Sequence, residues 1–143
     1  MELRNWEIME NKKNYTLLKD LEVYQLAKEL SKIGWIIYQD LDWQTKKIMG
    51  DQFITSADSF GANIAEGYSR YHYLDKIKFF YNARGSLAEA ADYWLELLKE
   101  RGKIIKEKNY QVYKEAAGKA SLKLQNFIAA NYKAKLMETD GNS

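Results

Sequence analysis

Not one proline occurs in these 143 residues. Proline breaks a helix interior by removing a backbone N–H and clashing with the preceding turn, and it also opens many turns. Its absence leaves nothing to interrupt long helices and points to few, long elements. The apolar residues agree. Phe53, Ala57, Phe60 and Ile64 recur at steps of four, three and four, which places them on one helix face. Leu21, Tyr24, Ala27, Leu30, Ile33 and Ile37 keep the same spacing and predict a first helix over about 17–39. Asp40-Leu41-Asp42 is the break, and Asp42 is placed to cap a second helix running to Gly67. A third helix is expected over about 72–101, with Phe80, Ala83, Leu87, Ala91, Trp94 and Leu98 inward and Arg101-Gly102 at its end. A fourth carries Tyr110, Tyr113, Ala117, Ala120, Leu124 and Phe127 and fades near Lys135. Four such helices with short connections predict an all-α fold, an up-down-up-down antiparallel four-helix bundle over 17–135. Residues 1–16 read as a flexible N-terminal tail and 136–143 as a disordered C-terminal one.

Small residues mark two further patches. In Phe60-Gly61-Ala62-Asn63-Ile64-Ala65-Glu66-Gly67, the residues Ala57, Gly61 and Ala65 leave a strip with little side chain, so that a neighbouring helix can approach closely. Gly67 offers the left-handed residue that often ends a helix. Ala83-Arg84-Gly85-Ser86-Leu87-Ala88-Glu89 answers it on the third helix. Asn63 and Glu66 lie three apart, where a hydrogen bond across helices or to the following turn is the commoner role and ligand contact the rarer one. Arg84 has three readings: a pair with Glu66, a pair with Glu89, or a place facing a ring interior.

Taken together, Asn63-Ile64-Ala65-Glu66-Gly67, Arg70, the pair Phe79-Phe80 and Ala83-x-Gly-Ser-Leu-x-Glu89 resemble the bacterial four-helix-bundle family encoded in intervening sequences of large-subunit ribosomal RNA genes. The accessory variability determinant of diversity-generating retroelements is similar in fold. Lys19-Asp20-Leu21-Glu22-Val23-Tyr24-Gln25-Leu26-Ala27 and Leu30 fit the family's first helix, and the likeness spans roughly residues 17–134. It implies a cytoplasmic, non-enzymatic bundle that closes into a homo-oligomeric ring, five-fold in structurally known relatives. It also implies binding of RNA or DNA, or of a reverse transcriptase or other nucleic-acid enzyme, through a basic surface. One departure matters. Where the family usually carries Gln-x-Arg-Arg-Ala, this chain reads Gln52-Phe53-Ile54-Thr55-Ser56-Ala57, and Asp51 and Asp58 lie on the same helix. Two cations are missing, which moves a nucleic-acid role to the fourth helix and the Arg70 turn.

Charge distribution supports that shift. The net charge is only +2, yet residues 99–135 carry ten basic and three acidic groups. At 100° per residue, Lys108, Lys119, Lys123 and Lys133 share one face opposite the Tyr110-Ala117-Leu124 stripe. A solvated face is the commoner meaning of such a stripe, but lysines with so little interleaved acid are also what phosphate tracking needs. The turn Tyr68-Ser69-Arg70-Tyr71-His72-Tyr73 adds aromatic planes suited either to stacking on unpaired bases or to helix packing. The rival class is a protein-protein adaptor or structural module that touches no nucleic acid.

Enzyme chemistry finds little here. Without cysteine there is no disulfide, thiolate metal site or cysteine nucleophile, and the single histidine, His72, rules out the paired Glu-x-x-His motifs of di-iron bundles. Glu89, Asp92, Glu96 and Glu100 recur at steps of three and four, which reads more readily as a solvated row than as a hard-cation site. We expect no catalytic residue, metal or cofactor. The start of the chain has no secretory signal pattern, and no apolar run approaches the roughly 20 residues that span a bilayer, so no membrane association is expected.

Overall fold

The computed structural model describes residues 16–102 and 105–141. Among the described residues there is no strand, and four long helices account for most of them. After a 3₁₀ turn at Leu18–Asp20, α1 runs over Glu22–Gln39. Helix α2 covers 43–69, α3 covers 73–102 and α4 covers Glu107–Gly141. Each packs against its neighbours in sequence, and α4 closes on α1, which gives the expected bundle. The expected N-terminal tail, apart from Thr16, lies outside the described residues. At the other end helix α4 continues past Lys135 to Gly141, where disorder was expected. The reason is local: Lys135, Leu136, Met137 and Glu138 are good helix formers, and no Pro or Gly intervenes before Gly141.

The expected stripes form the core. Leu30, Ile37, Phe53, Phe60, Ile64, Phe80, Leu98, Tyr113 and Leu124 are all buried, and each such large apolar side chain contributes about 1.5–3 kcal/mol. Asp42 caps α2 as expected, its Oδ1 accepting from the Thr45 N–H at 2.7 Å. The close approach of α1 and α2 at Gly61 is also present: a Cβ there would stand 3.2 Å from the Ala27 Cβ.

Other expectations are corrected. Gly67 is not a left-handed helix end. It is a buried helical residue, and a Cβ on it would come within 2.7 Å of the Phe80 ring and 2.9 Å of the Phe79 Cβ. Helix α2 instead ends at Ser69, whose hydroxyl donates to the Glu66 carbonyl at 2.7 Å. The second small-residue patch does not answer the first. Nothing lies within 4 Å of a Cβ on Gly85, which faces outward, while Ser86 is partly buried. Asn63 reaches neither another helix nor the turn: its amide donates to the Ser59 carbonyl one turn back, at 2.9 Å.

Two π-helical segments, Lys46–Gly50 in α2 and Glu89–Trp94 in α3, were not foreseen. A π turn holds an extra residue and rotates everything beyond it. In and just after the second segment, Ala90, Ala91 and Leu95 are buried, Leu95 with 0% exposure, where the regular spacing puts Trp94. Trp94 moves to the rim, and its indole N–H donates to Glu89 at 3.1 Å.

Candidate nucleic-acid interface

Helix α4 sets its lysines by the same periodicity that buries Tyr113, Ala117, Ala120 and Leu124. Lys108, Lys119, Lys123 and Lys133 are all exposed. At a rise of about 1.5 Å per residue the stripe from Lys108 to Lys133 is about 38 Å long. Its charges are not equally available. Lys123 reaches across to α1 and pairs with Glu22 at 2.7 Å, and Lys119 lies 4.0 Å from Glu115 on its own helix. Such exposed pairs hold a side chain by about 0–1 kcal/mol, so a polyanion can displace them. Lys108 and Lys133 have no acidic partner among the described residues.

Arg70 leaves α2 in an extended conformation. Its guanidinium pairs with Glu66 one turn back and lies over the Phe79 ring at 5.0 Å. Glu66 therefore positions Arg70 and does not meet Arg84. Arg84 is exposed, 4.8 Å over the Tyr81 ring, and pairs with neither Glu66 nor Glu89. The structure thus brings Arg70 and Lys133 to one end of the bundle, leaves Lys108 at the other, and sets Arg84 on the flank of α3.

Beside Arg70 the tyrosine turn opens toward the C-terminal part of α4. Tyr71 is 91% exposed, and the edge of the His72 ring meets it at 5.2 Å. Tyr73 leans on Tyr132 of α4, with ring centroids 6.5 Å apart. Lys76 follows one turn into α3. Its ammonium donates to the Tyr68 carbonyl at 3.1 Å, and burial pushes it below the usual lysine value. Lys76 has no sequence signal of its own, because only the fold reveals that its stem is covered.

The carboxylate row does other work. Glu96 accepts from Tyr110 at 2.5 Å and from Lys114 at 2.7 Å, and these bonds hold it below the ordinary carboxylate range. Lys114 also donates to the Ala91 carbonyl at 2.6 Å and lies 3.4 Å from Asp92. Lys99 pairs with Glu107 at 2.6 Å and sits 3.6 Å over the Tyr110 ring. Among the described residues no cluster of His, Asp and Glu fits a metal ion, and no helix is long and apolar enough to cross a membrane.

The model of the 23S rRNA-intervening sequence protein family matches residues 19–126, which takes in α1, α2, α3 and the first part of α4. The chain is also similar to a solved protein of unknown function from the S23 ribosomal protein family of Bacteroides thetaiotaomicron. That likeness has 26% identity and a TM-score of 0.68, covering 75% of this chain and 95% of that one. No curated protein matches.

Proposed function

This chain belongs to the 23S rRNA-intervening sequence protein family, and from that premise we propose that it is a cytoplasmic, non-enzymatic, homo-oligomeric bundle that binds nucleic acid through the outer face of α4. The observation that carries this reading is the lysine stripe. Four exposed ammonium groups share one helix face over about 38 Å, opposite the buried face, and among the described residues Lys108 and Lys133 have no acidic partner. Regularly placed cations of this kind track phosphates whatever the base sequence. Arg70 and Arg84 add cations outside the stripe. The second helix takes no part, since its outer face presents the exposed acids Asp51 and Asp58.

The ring, a pentamer in this reading, multiplies the stripe. Outward-facing Gly118 lines a groove of about 270 Å³ between α3 and α4 with Ala88, Ala91, Ala117 and Ser121, charged at its border by Arg84, Asp92 and Lys114, and Gly85 is the chain neighbour of Arg84. A helix of a second copy fits such a narrow-walled groove. A reverse transcriptase or other nucleic-acid enzyme docked on the same ring is a further partner class in this reading.

The test is replacement of Lys108, Lys119, Lys123 and Lys133 by Gln. Gln keeps helix propensity close to that of Lys, so the fold is preserved while the charge is lost. Binding to RNA and DNA of any sequence should weaken, and each lost phosphate contact should take about 0.7–0.9 from the log-log salt slope. Unchanged binding and slope would remove the α4 face from the reading. Absence of any binding by the parent at low salt would favour the protein-protein adaptor, which the exposed rings of Trp35, Trp43 and Tyr93 also suit.

A further inference from the structure

Between the tyrosine turn and the C-terminal part of α4 lies a cleft of about 380 Å³, within the size range of small-ligand sites. We propose that this cleft receives one unpaired nucleotide of a single-stranded polynucleotide, with the base lodged inside and the phosphates outside along the lysines. The proposal rests on the reading of the α4 face as a nucleic-acid surface and adds to it a site that distinguishes single strands from duplex. Part of its wall, from Asn131 onward, lies beyond the residues matched by the family model.

Three features decide what enters. The walls include Tyr71 and Tyr73, and aromatic rings stack on any base because every base has a π face. Tyr71 is 91% exposed, and its one ring contact among the described residues is a nearly perpendicular one with His72, which leaves ring surface open to a partner. Asn131 supplies polar selectivity. One amide hydrogen is used by the Phe127 carbonyl at 2.8 Å, which fixes the side chain and leaves its carbonyl oxygen and second N–H for the edge of a base. The third feature is the mixed charge of the wall. Lys76 stands on the side of the turn, and Lys135 and Glu138 stand on that of α4. The Glu138 carboxylate accepts from the exocyclic amine of a base, and the ammonium groups attract the phosphates on either side of it. The phosphates on either side of that nucleotide then meet Arg70, which precedes the turn, and Lys135 on the cleft's own wall. A paired base cannot reach the cleft without leaving its stack, which costs duplex a penalty that single strands escape.

The experiment compares a short single-stranded RNA carrying one fluorescent purine analogue, the same strand as DNA, and a blunt duplex of equal phosphate count. Two full-length variants are used, Tyr71→Ala, which removes a side chain that is 91% exposed, and Ala134→Trp, which fills the cleft from an exposed position without changing charge. The parent should prefer the single strand over the duplex by about tenfold, the order of one base-aromatic stack, and should quench the analogue. Both variants should lose the preference and the quenching while keeping the parent's duplex affinity and salt slope. Quenching with RNA and DNA alike, or with RNA alone, supports the cleft, and the difference reports on contact with the sugar hydroxyl. Equal binding of single strand and duplex by the parent, or variants that retain the preference, would overturn the cleft and leave the α4 face standing. No binding of either form by the parent would overturn both.

Discussion

Ala27 of α1 and Gly61 of α2 face each other so closely that a Cβ added to Gly61 would stand 3.2 Å from the Ala27 Cβ. Ala27 is fully buried and on a helix backbone, so it cannot retreat. Gly61→Leu should therefore lower stability by about 1–3 kcal/mol, the usual cost of overpacking. Gly85→Leu meets open space and should change the chain's own stability by no more than about 0.5 kcal/mol. Thermal melts of the two variants decide it. Equal losses would mean that the outward face of Gly85 is covered, and a fall in particle mass would then locate the covering subunit.

Gly67 and Gly118 should respond to alanine with opposite signs. At Gly67 the new Cβ would fall 2.7 Å from the ring of Phe80, which has 0% exposure and no room to yield. Overpacking of about 1–3 kcal/mol outweighs the roughly 1 kcal/mol that alanine gains in helix propensity, so Gly67→Ala should melt below the parent. At Gly118 nothing lies within 4 Å and only the propensity gain remains. Gly118→Ala should melt above the parent by the equivalent of about 0.5–1 kcal/mol. Shifts of the same sign in urea titrations would contradict the packing described for Gly67.

What the sequence made legible follows from what periodicity can express. Phe53, Ala57, Phe60 and Ile64 were placed correctly because regular helix geometry alone puts them inward. Leu95 and Trp94 are adjacent large apolar residues that both continue a three- or four-residue step from Ala91, so spacing alone does not say which one turns inward, and no residue announces the π turn at Glu89–Trp94. Gly67 was read as a helix end because glycine has that use, whereas here its missing side chain makes room for Phe79 and Phe80, 12 and 13 residues further along the chain. The α4 lysines were legible as a face. That Lys123 is tied to Glu22 was not, since the pair joins two helices about a hundred residues apart in sequence.

Glu96 links stability to pH at both ends of the range. The hydrogen bond from Tyr110 to Glu96, followed by partial burial, pushes the Tyr110 phenol up to about 12 from its ordinary 10.0. Because the folded state holds this proton more tightly, the contribution is whole below pH 10 and is lost as pH rises through about 12. Glu96 itself is lowered, first by Lys114 and then by Tyr110, so its contribution is whole above its ordinary 4.5 and is lost as pH falls. Tyr110→Phe should flatten the alkaline arm and, by removing one of the bonds that lower Glu96, part of the acid arm, whereas Glu96→Gln should flatten both. Burial also raises Tyr113, so a residual alkaline loss remains in each variant. Urea midpoints across the pH range test this. A Glu96→Gln variant that keeps the parent's dependence in acid and in alkali would contradict the network.

The last prediction concerns the rings left outside the core. Trp35 is 50% exposed, Trp43 73% and Tyr93 54%, and Ile48 beside them is 58% exposed. Trp35 stacks on Tyr38 at 5.4 Å, and Lys46 lies 5.1 Å over that same Tyr38 ring, so part of the surface is rigid before any partner arrives. Trp35 and Tyr38 end α1, Trp43 and Ile48 begin α2, and Tyr93 lies in the second half of α3, so an antiparallel bundle gathers them toward one end. Scattered single apolar residues need no explanation, but several large exposed side chains toward one end of the bundle suit an interaction surface. In the ring we propose, a neighbouring copy covers it, and aromatic side chains at its centre carry most of the binding energy. Trp43→Ser removes the most exposed of the rings without opening a cavity in the chain. It should leave helical content and the Glu96 pH dependence unchanged while shifting the particle mass from oligomer toward monomer at micromolar concentration. Light scattering of the parent comes first, and a monomer mass there would end the ring proposal. An oligomeric parent whose mass is untouched by Trp43→Ser would instead move the subunit contact away from this end of the bundle, toward the groove beside Gly85 and Gly118.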